Sequence, residues 1–570
     1  IGLGQDQTVG LFLNTAAAAP GYTLFAPMSY NVTYLIDNNG ELVQSWFSDY
    51  RPGLSVYFLE NGDLLRTRRL QGQFFQTGGR GGGFEILDWD GELVWEFDYF
   101  SDQYWQHHDI ESLPSGNVLL IAWEHKTDTV AIANGRNPNL LGGNLQPSGF
   151  WPDHIIEVNP ENDSIVWEWH VWDHLIQDYD PSKLNYGVVS DHPELVNINY
   201  PSNPPSSGGD WLHINAVDYN MELDQILLSV HHFGEIWIID HSTNTAEAAN
   251  HTGGNSGKGG DLLYRWGNPQ SYIDDNTNVR MFFGQHDARW IENGSQIMVF
   301  NNGGGRPGGS YTSIDVITQP IGEDNLYVLD SSGIFGPYAL SWQYTATPPT
   351  DFFASNISGA HRLENGNTLI CEGSQGHYFE VDSTGSLVWD YVNPVINTGP
   401  LYQGQAIPTQ GGPQGSTMNR TFRVHRYPTD YLGFAGHDLE PMGPIELYMS
   451  TQTLTYIPNN FKLHQNFPNP FNPETIIRYN LPENIIVNIT VYDLLGRKVK
   501  TLVNQVQVAG SQSVVWDAND DYGERVGAGI FLYQIQAGDF IQTRKMVLLK
   551  ELASLSGSSG YHTSYIVLLV

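Results

Sequence analysis

Phe84-Glu85-Ile86-Leu87-Asp88-Trp89-Asp90-Gly91-Glu92-Leu93-Val94-Trp95-Glu96-Phe97 places two short apolar runs on either side of an Asp-Gly turn. Glycine reaches the positive φ that tight hairpin turns require, so the stretch predicts a β-hairpin. The same grammar returns at residues 34–37 with 42–46, 155–159 with 165–169, 236–240 with 262–266, 326–330 with 340–344, and 378–382 with 387–391. A further strand pair accompanies the hairpins, built around Asn61-Gly62 in residues 58–65 and Asn365-Gly366 in residues 363–370. About four strands per unit and six units predict an all-β fold, a six-bladed β-propeller over residues 31–441. Tryptophans fall at the ends of second strands, where a flat ring packs between neighbouring blades; burying one contributes roughly 1.5–3 kcal/mol. Residues 21–27, within an N-terminal segment 1–30, are placed to join the last blade and close the ring.

Composition agrees with short strands and tight turns. Among 570 residues there are 60 glycines, 30 tyrosines and 16 tryptophans, and helical apolar spacing is nearly absent. Acidic residues outnumber Lys plus Arg by 62 to 26, for a net charge of -36. Such a surface repels phosphate backbones and anionic lipid, which excludes nucleic acid as a partner. The one cysteine, Cys371, lies in an apolar run and reads as a buried thiol. No stretch approaches the roughly 20 apolar residues of a membrane span, and Ile1-Gly2-Leu3-Gly4-Gln5 is expected to be the remnant of a removed signal peptide. The chain reads as soluble and exported.

Beyond a linker at residues 442–465 the text changes. Asn466-Phe467-Pro468-Asn469-Pro470-Phe471-Asn472-Pro473 introduces short strands such as Val487-Asn488-Ile489-Thr490-Val491, which predict a small Ig-like β-sandwich over residues 466–550. With Gly527-Ala528-Gly529-Ile530-Phe531-Leu532-Tyr533 and the closing Lys545-Met546-Val547-Leu548-Leu549-Lys550, this segment resembles the C-terminal sorting domain of the type IX secretion system. The resemblance implies an outer-membrane-bearing bacterium, the type IX machinery as a partner, and delivery to the cell surface or the medium. Residues 551–570 end in Tyr565-Ile566-Val567-Leu568-Leu569-Val570; an apolar tail of this kind is expected to dock as an added strand on its own or a neighbouring subunit.

Histidines cluster just before or within predicted inner strands, at His107-His108, His213, His231-His232 and His286. On a propeller such positions converge at one end of the central channel. In these motifs residues 31–395 resemble the bacterial arylsulfotransferases, propellers that move sulfate between phenols without a nucleotide sulfate donor. The resemblance implies a ping-pong reaction through a sulfohistidine and needs no organic cofactor. It makes His286 the nucleophile, and His108 and His213 the residues that hold sulfate and exchange protons with phenol oxygens. The family's sulfate-clamping arginine is expected where this chain has His231. A guanidinium binds a sulfuryl group as a fixed bidentate cation and an imidazole does not, and losing one oxyanion donor costs about 3 kcal/mol of transition-state stabilisation. Trp105, Trp211, Phe233 and Phe283 are the aromatic residues available to wall a phenol pocket. Arg265, Arg289, Arg306 and Arg362 read as salt-bridge or surface residues, and His361 as structural.

Two readings stand side by side. One is a secreted arylsulfotransferase using a phenolic sulfate donor and a phenol acceptor. The other is a non-catalytic extracellular building block, assembling into a filament or surface layer through terminal strands, with His231 marking a site that has drifted. The histidines would then bond strand ends or hold a divalent metal. The glycine runs at residues 79–83 and 302–305 precede no helix and carry no phosphate-loop signal.

Overall fold

The computed structural model describes residues 7–549 except 142–148, 204–208, 274–279, 323–325, 411–415, 449–457, 459, 468 and 472. The apolar tail, residues 551–570, and the docking expected of it lie outside the described residues. The chain falls into two compact units that part near residue 440, with residues 444–447 returning to the first.

Among the described residues the first unit contains six antiparallel sheets of four or five strands. Each sheet begins on a buried first strand: Thr421–Tyr427, Pro52–Phe58, Tyr104–Ser112, Ile214–Asn220, His286–Ile291 and Gly359–Arg362. Neighbouring first strands touch in that order, and Gly359–Arg362 touches Thr421–Tyr427 in turn. The first sheet is assembled from both ends of the unit, because Thr421–Tyr427 pairs with Tyr22–Pro27 and Tyr22–Pro27 pairs with Val32–Ile36. Gly10–Asn14 adds a fifth strand to the outer edge of the sixth sheet, against Leu387–Val392. The architecture is all-β and propeller-like.

The hairpin grammar holds in five of its six copies and moves in one. Residues 326–330 do not form the third strand of the fifth sheet; Ser313–Ile317 takes that place, between Gln296–Asn301 and Trp342–Tyr344. Asp330 instead accepts the backbone N–H groups of Ser332 and Ile334 and closes a tight turn, so the local aspartate-turn signal mimicked a strand end.

Outer tryptophans link one sheet to the next. The Nε1–H of Trp46 donates to Asp88 O, that of Trp95 to Asp163 Oδ1, that of Trp169 to Gly260 O, and that of Trp266 to Pro337 O, all between 2.7 and 2.9 Å. Trp389 of the sixth sheet donates to Asn38 O of the first at 2.8 Å. Trp46, Trp169, Trp266 and Trp389 thus bury their apolar bodies, and Trp95 part of its own, while the one polar group of each is satisfied by the neighbouring turn.

Where the first strands meet, charge is buried and paired. Arg423 of the first sheet reaches Asp109 of the third at 2.5 Å, Asn215 O of the fourth at 2.6 Å and Asp287 of the fifth at 3.1 Å. Asp287 also accepts Arg289 and the backbone N–H of Ala360 in the sixth sheet, and Tyr57 of the second donates to Asp109.

The second unit packs two sheets face to face. One holds Lys462–Leu463, Thr475–Leu481 and Gly510–Trp516; the other holds Lys498–Gln507, Ile485–Asp493, Gly529–Ala537 and Phe540–Leu548. Ile477, Tyr479, Val487, Ile489, Val491, Trp516, Tyr533 and Ile535 fill the core between them, as alternation along each strand requires.

Candidate functional site

The first strands of the third, fourth and fifth sheets are bulged at their starts. Residues 107–109 stand opposite the single Ile121 of Val118–Glu124, Asn215 is extra opposite Gln225–Val230, and the register slips again between His286 and Arg289. His108, His213 and Asp287 stand there at φ of 52°, 55° and 52°. A left-handed residue at a bulge re-aims its neighbours' side chains, at a cost of about 1–3 kcal/mol each, and such strain concentrates at functional sites.

These bulges bring the sequence-selected histidines together. Ring centroids lie 4.5 Å apart for His108 and His213, 5.3 Å for His213 and His231, and 5.2 Å for His231 and His286. His232, which the sequence reading did not select, lies 5.1 Å from His213. Phe422 stands 6.2 Å from His108. Gly79 covers His108 so closely that an added Cβ would sit 1.9 Å from its ring.

Hydrogen bonds fix the chemistry of each ring. Asn302 donates through Nδ2 to the carbonyls of Ala354 and Ile357, which turns its Oδ1 toward His286 Nδ1 at 2.8 Å. Nδ1 therefore carries the proton and Nε2 keeps a lone pair. Burial lowers the pKa of His286 to about 3, so the ring is neutral. His213 Nδ1 donates to Asp210 Oδ2 at 2.6 Å. Asp210 also accepts Trp123 Nε1–H and Thr77 Oγ1–H, and its pKa falls to about 2 despite full burial, chiefly through the charge of His213 and its hydrogen bond.

His108 Nδ1 meets His107 Nδ1 at 2.8 Å, and His107 stacks flat on Trp123 with its Nε2 2.9 Å from Asp153. Burial pushes Asp153 well up and His107 and His108 well down, so this chain of groups is neutral. Burial likewise holds His231 well below the usual histidine range, and the nearby histidines and Arg280 push the same way. Among the described residues, Nε2 of His108, of His213 and of His286 has no hydrogen-bond partner.

The other selected residues are distributed differently. Trp105 lies in an apolar cluster with Phe75, Trp123 and Trp151, and Trp211 and Phe233 lie in another, with Trp211 Nε1 donating to Tyr200 O. Phe283 is half-buried beneath two guanidiniums, with Arg280 5.2 Å and Arg306 5.9 Å from its ring centre. Arg265 pairs with Glu235, Arg289 with Asp287, and Arg362 donates to Gly366 O. Arg280 was not singled out from sequence. It makes no ion pair among the described residues, and its guanidinium packs on Gly234, three residues from His231. An open cleft of about 670 Å3, lined by His361, Arg362, Arg426 and Tyr431, lies at the far ends of the sixth and first sheets' first strands, away from this cluster.

The fold and site define a propeller-like protein with a close-packed cluster of histidines, carrying a β-sandwich domain at its C-terminal end. Residues 19–392 match the family model described as arylsulfotransferase (ASST), and the chain belongs to that family. Residues 465–549 match the secretion system C-terminal sorting domain of type IX secretion, which directs export to the cell surface or extracellular space. No helix among the described residues is long and apolar enough to cross a membrane. No curated protein matches the chain. Among solved structures it is similar to a protein of unknown function from Bacteroides caccae, at 14% identity over 65% of this chain and 94% of that one, TM-score 0.35. It is also similar to Kuenenia stuttgartiensis hydrazine synthase, at 12% identity over 54% and 71%, TM-score 0.31. A third is a 6-phosphogluconolactonase-like protein from Bacteroides fragilis, at 12% identity over 72% and 99%, TM-score 0.32. Likenesses this loose carry no functional argument.

Proposed function

We propose that the first unit is a closed six-bladed propeller that transfers sulfate between phenols through a sulfohistidine on His286. The observation that carries the reading is the fixed tautomer of His286: Asn302 accepts from Nδ1, leaving a neutral Nε2 lone pair beside two other unpartnered imidazole nitrogens. Nε2 attacks the sulfur of an aryl sulfate, an N–S bond forms, and the S–O bond to the aryl group breaks with its electron pair going to the phenolic oxygen. His213, whose Nδ1 is held by the ionised Asp210, gives a proton from Nε2 to the departing phenolate and takes one back there from the incoming phenol. His108 shares the sulfuryl oxygens. The acceptor oxygen then attacks sulfur, the N–S bond breaks, and His286 is restored.

The sulfate clamp is altered. His231 is held well below the usual histidine range by burial, and Arg280, whose charge reaches it and whose guanidinium rests on the ring of Phe283, supplies the positive field. The test is transfer of sulfate from a chromogenic aryl sulfate to a phenol. Turnover in the wild type, abolished at least a thousandfold in His286→Ala, is expected. No turnover in the wild type with gain in His231→Arg would replace this reading by a propeller that kept its fold and lost its clamp.

A further inference from the structure

Away from the histidine cluster, a second group of side chains ties the segment after the third sheet to the long excursion between the last two strands of the fourth. His174 is fully buried. Its Nε2 lies 2.8 Å from the carbonyl oxygen of Ala248, which can only accept, so Nε2 carries a proton. Its Nδ1 lies 2.8 Å from Asp261 Oδ1, and the Nδ1 of His251 lies 2.7 Å from that same oxygen. A neutral His174 would direct a lone pair at a carboxylate lone pair. Either a second proton or a cation must stand between them.

The surroundings favour a cation. A backbone carbonyl on the far nitrogen is the usual way of orienting an imidazole toward a metal. Glycine shapes the excursion around the group: Gly253, Gly254, Gly257 and Gly259 all have positive φ, and a Cβ on Gly260 would lie 2.6 Å from His174 Nε2. The loop is held by Gly260 N–H to Asn250 O and Ser256 N–H to Asp240 Oδ2, while Trp169 Nε1–H donates to Gly260 O and its ring stacks parallel to His174. His251 is 60% exposed, which leaves a way in from solvent and a side chain free to adjust. The three donor atoms lie within 4.8 Å of one another.

We infer that His174 Nδ1, His251 Nδ1 and the Asp261 carboxylate form a binding site for one divalent transition-metal ion, of which zinc is the best match, that staples the third sheet's exit to the fourth sheet. Two imidazoles and one carboxylate are a zinc ligand set with one position left for water. Bonds of about 2.0–2.1 Å at tetrahedral angles need donors roughly 3.3 Å apart, so both pairs, at 2.8 and 2.7 Å, must open by about half an ångström, through a small rotation of the Asp261 carboxylate and of the exposed His251 side chain. Binding displaces the proton otherwise shared with Asp261. Two other groups fit less well: Lys126 already sits 2.8 Å from Glu124 beside His154 and His170, and Asp210 with His213 belongs to the site described above.

The test uses the full chain, stripped with EDTA and dialysed, then titrated with Co2+ as a spectroscopic probe and separately with Zn2+. The wild type is expected to bind one ion more than His251→Ala, with visible absorption of a low-coordinate Co2+ centre that the variant lacks. Zn2+ is expected to raise the melting temperature of the wild type by several degrees and that of His251→Ala by less. His251 is exposed, so the variant is expected to fold. Sulfate transfer should be equal in the two, which keeps this result separate from the catalytic reading. Equal stoichiometry and equal spectra in wild type and His251→Ala would overturn the site and leave these three side chains as a hydrogen-bonded cluster.

Discussion

Asn302 is the residue on which the chemistry of His286 turns. Its amide is oriented by two backbone carbonyls, and that orientation, not any charge, selects the tautomer. Replacing it by aspartate places a negative charge beside Nδ1, which favours the imidazolium and raises the histidine's pKa from about 3 toward neutrality. Asn302→Asp is therefore expected to keep most of its kcat/KM at pH 8 and to acquire an acid limb, losing at least tenfold between pH 8 and pH 5. The wild-type nucleophile is already neutral throughout that window, so its profile has no such limb from His286. A pH series with one aryl sulfate distinguishes the two.

At the scale of elements, the bulges do the positioning. A regular first strand would alternate its side chains across the sheet, whereas the extra residues at 107–109 and at 215 turn His108 and His213 toward each other. The loop after the second strand of the second sheet completes the arrangement by laying Gly79 on the His108 ring, at a φ of +85°. Gly79→Ala meets both a steric and a backbone penalty. It is expected to displace His108 and reduce sulfate transfer by ten- to a hundredfold, with a melting temperature lowered by only a few degrees. Restoration of activity by the second change His108→Ala is not expected. Unchanged turnover in Gly79→Ala would show that His108 is not held by this loop.

At the scale of the whole molecule, buried histidines set the response to pH. His107, His108, His231, His232 and His425 lie below the usual range, His154 and His286 near about 3, and His361 and His464 near about 4. Their unfolded value is near 6.5, so below that pH the unfolded chain takes up protons that the fold refuses. Stability falls on acidification by about 1.4 kcal/mol per pH unit for each such ring. The buried carboxyls Asp153, Asp218 and Glu111 shift upward, Asp218 to about 6, and offset part of this loss by holding protons in the fold. His170 and His377, raised to about 9 by their carboxylate partners, act on the other side. Their contribution is complete below pH 6.5 and is lost as pH rises through 9. Calorimetry from pH 4.5 to 9.5 is expected to give a maximum melting temperature at roughly pH 7. A melting temperature that climbs steadily toward pH 5 would contradict the buried, neutral state of these rings.

Legibility followed the range of the physical cause. Hairpins, turn residues and the tryptophans that end outer strands are set by neighbours two to ten residues away, so residues 84–97 sufficed to establish the repeat and the all-β class. The sorting domain was equally readable, because alternation and prolines are local. The same locality misled at residues 326–330, where Asp330 closes a turn and Ser313–Ile317 supplies the strand. The convergence of His108, His213, His231 and His286 was legible only through the repeat, which puts His108, His213 and His286 within or just before inner strands and His231 at the end of the strand after His213. The sequence by itself determined the residue types and their place in each unit. Only the tertiary structure decided which nitrogen of each ring is free, that Trp105, Trp211 and Phe233 are packed into apolar clusters, that Arg280 stands beside His231, and that Arg423 joins Asp109, Asn215 and Asp287 from positions more than a hundred residues away. Hydrogen-bond direction, burial and charge pairing depend on atoms brought together by sheet-to-sheet packing, and no spacing along the chain encodes them.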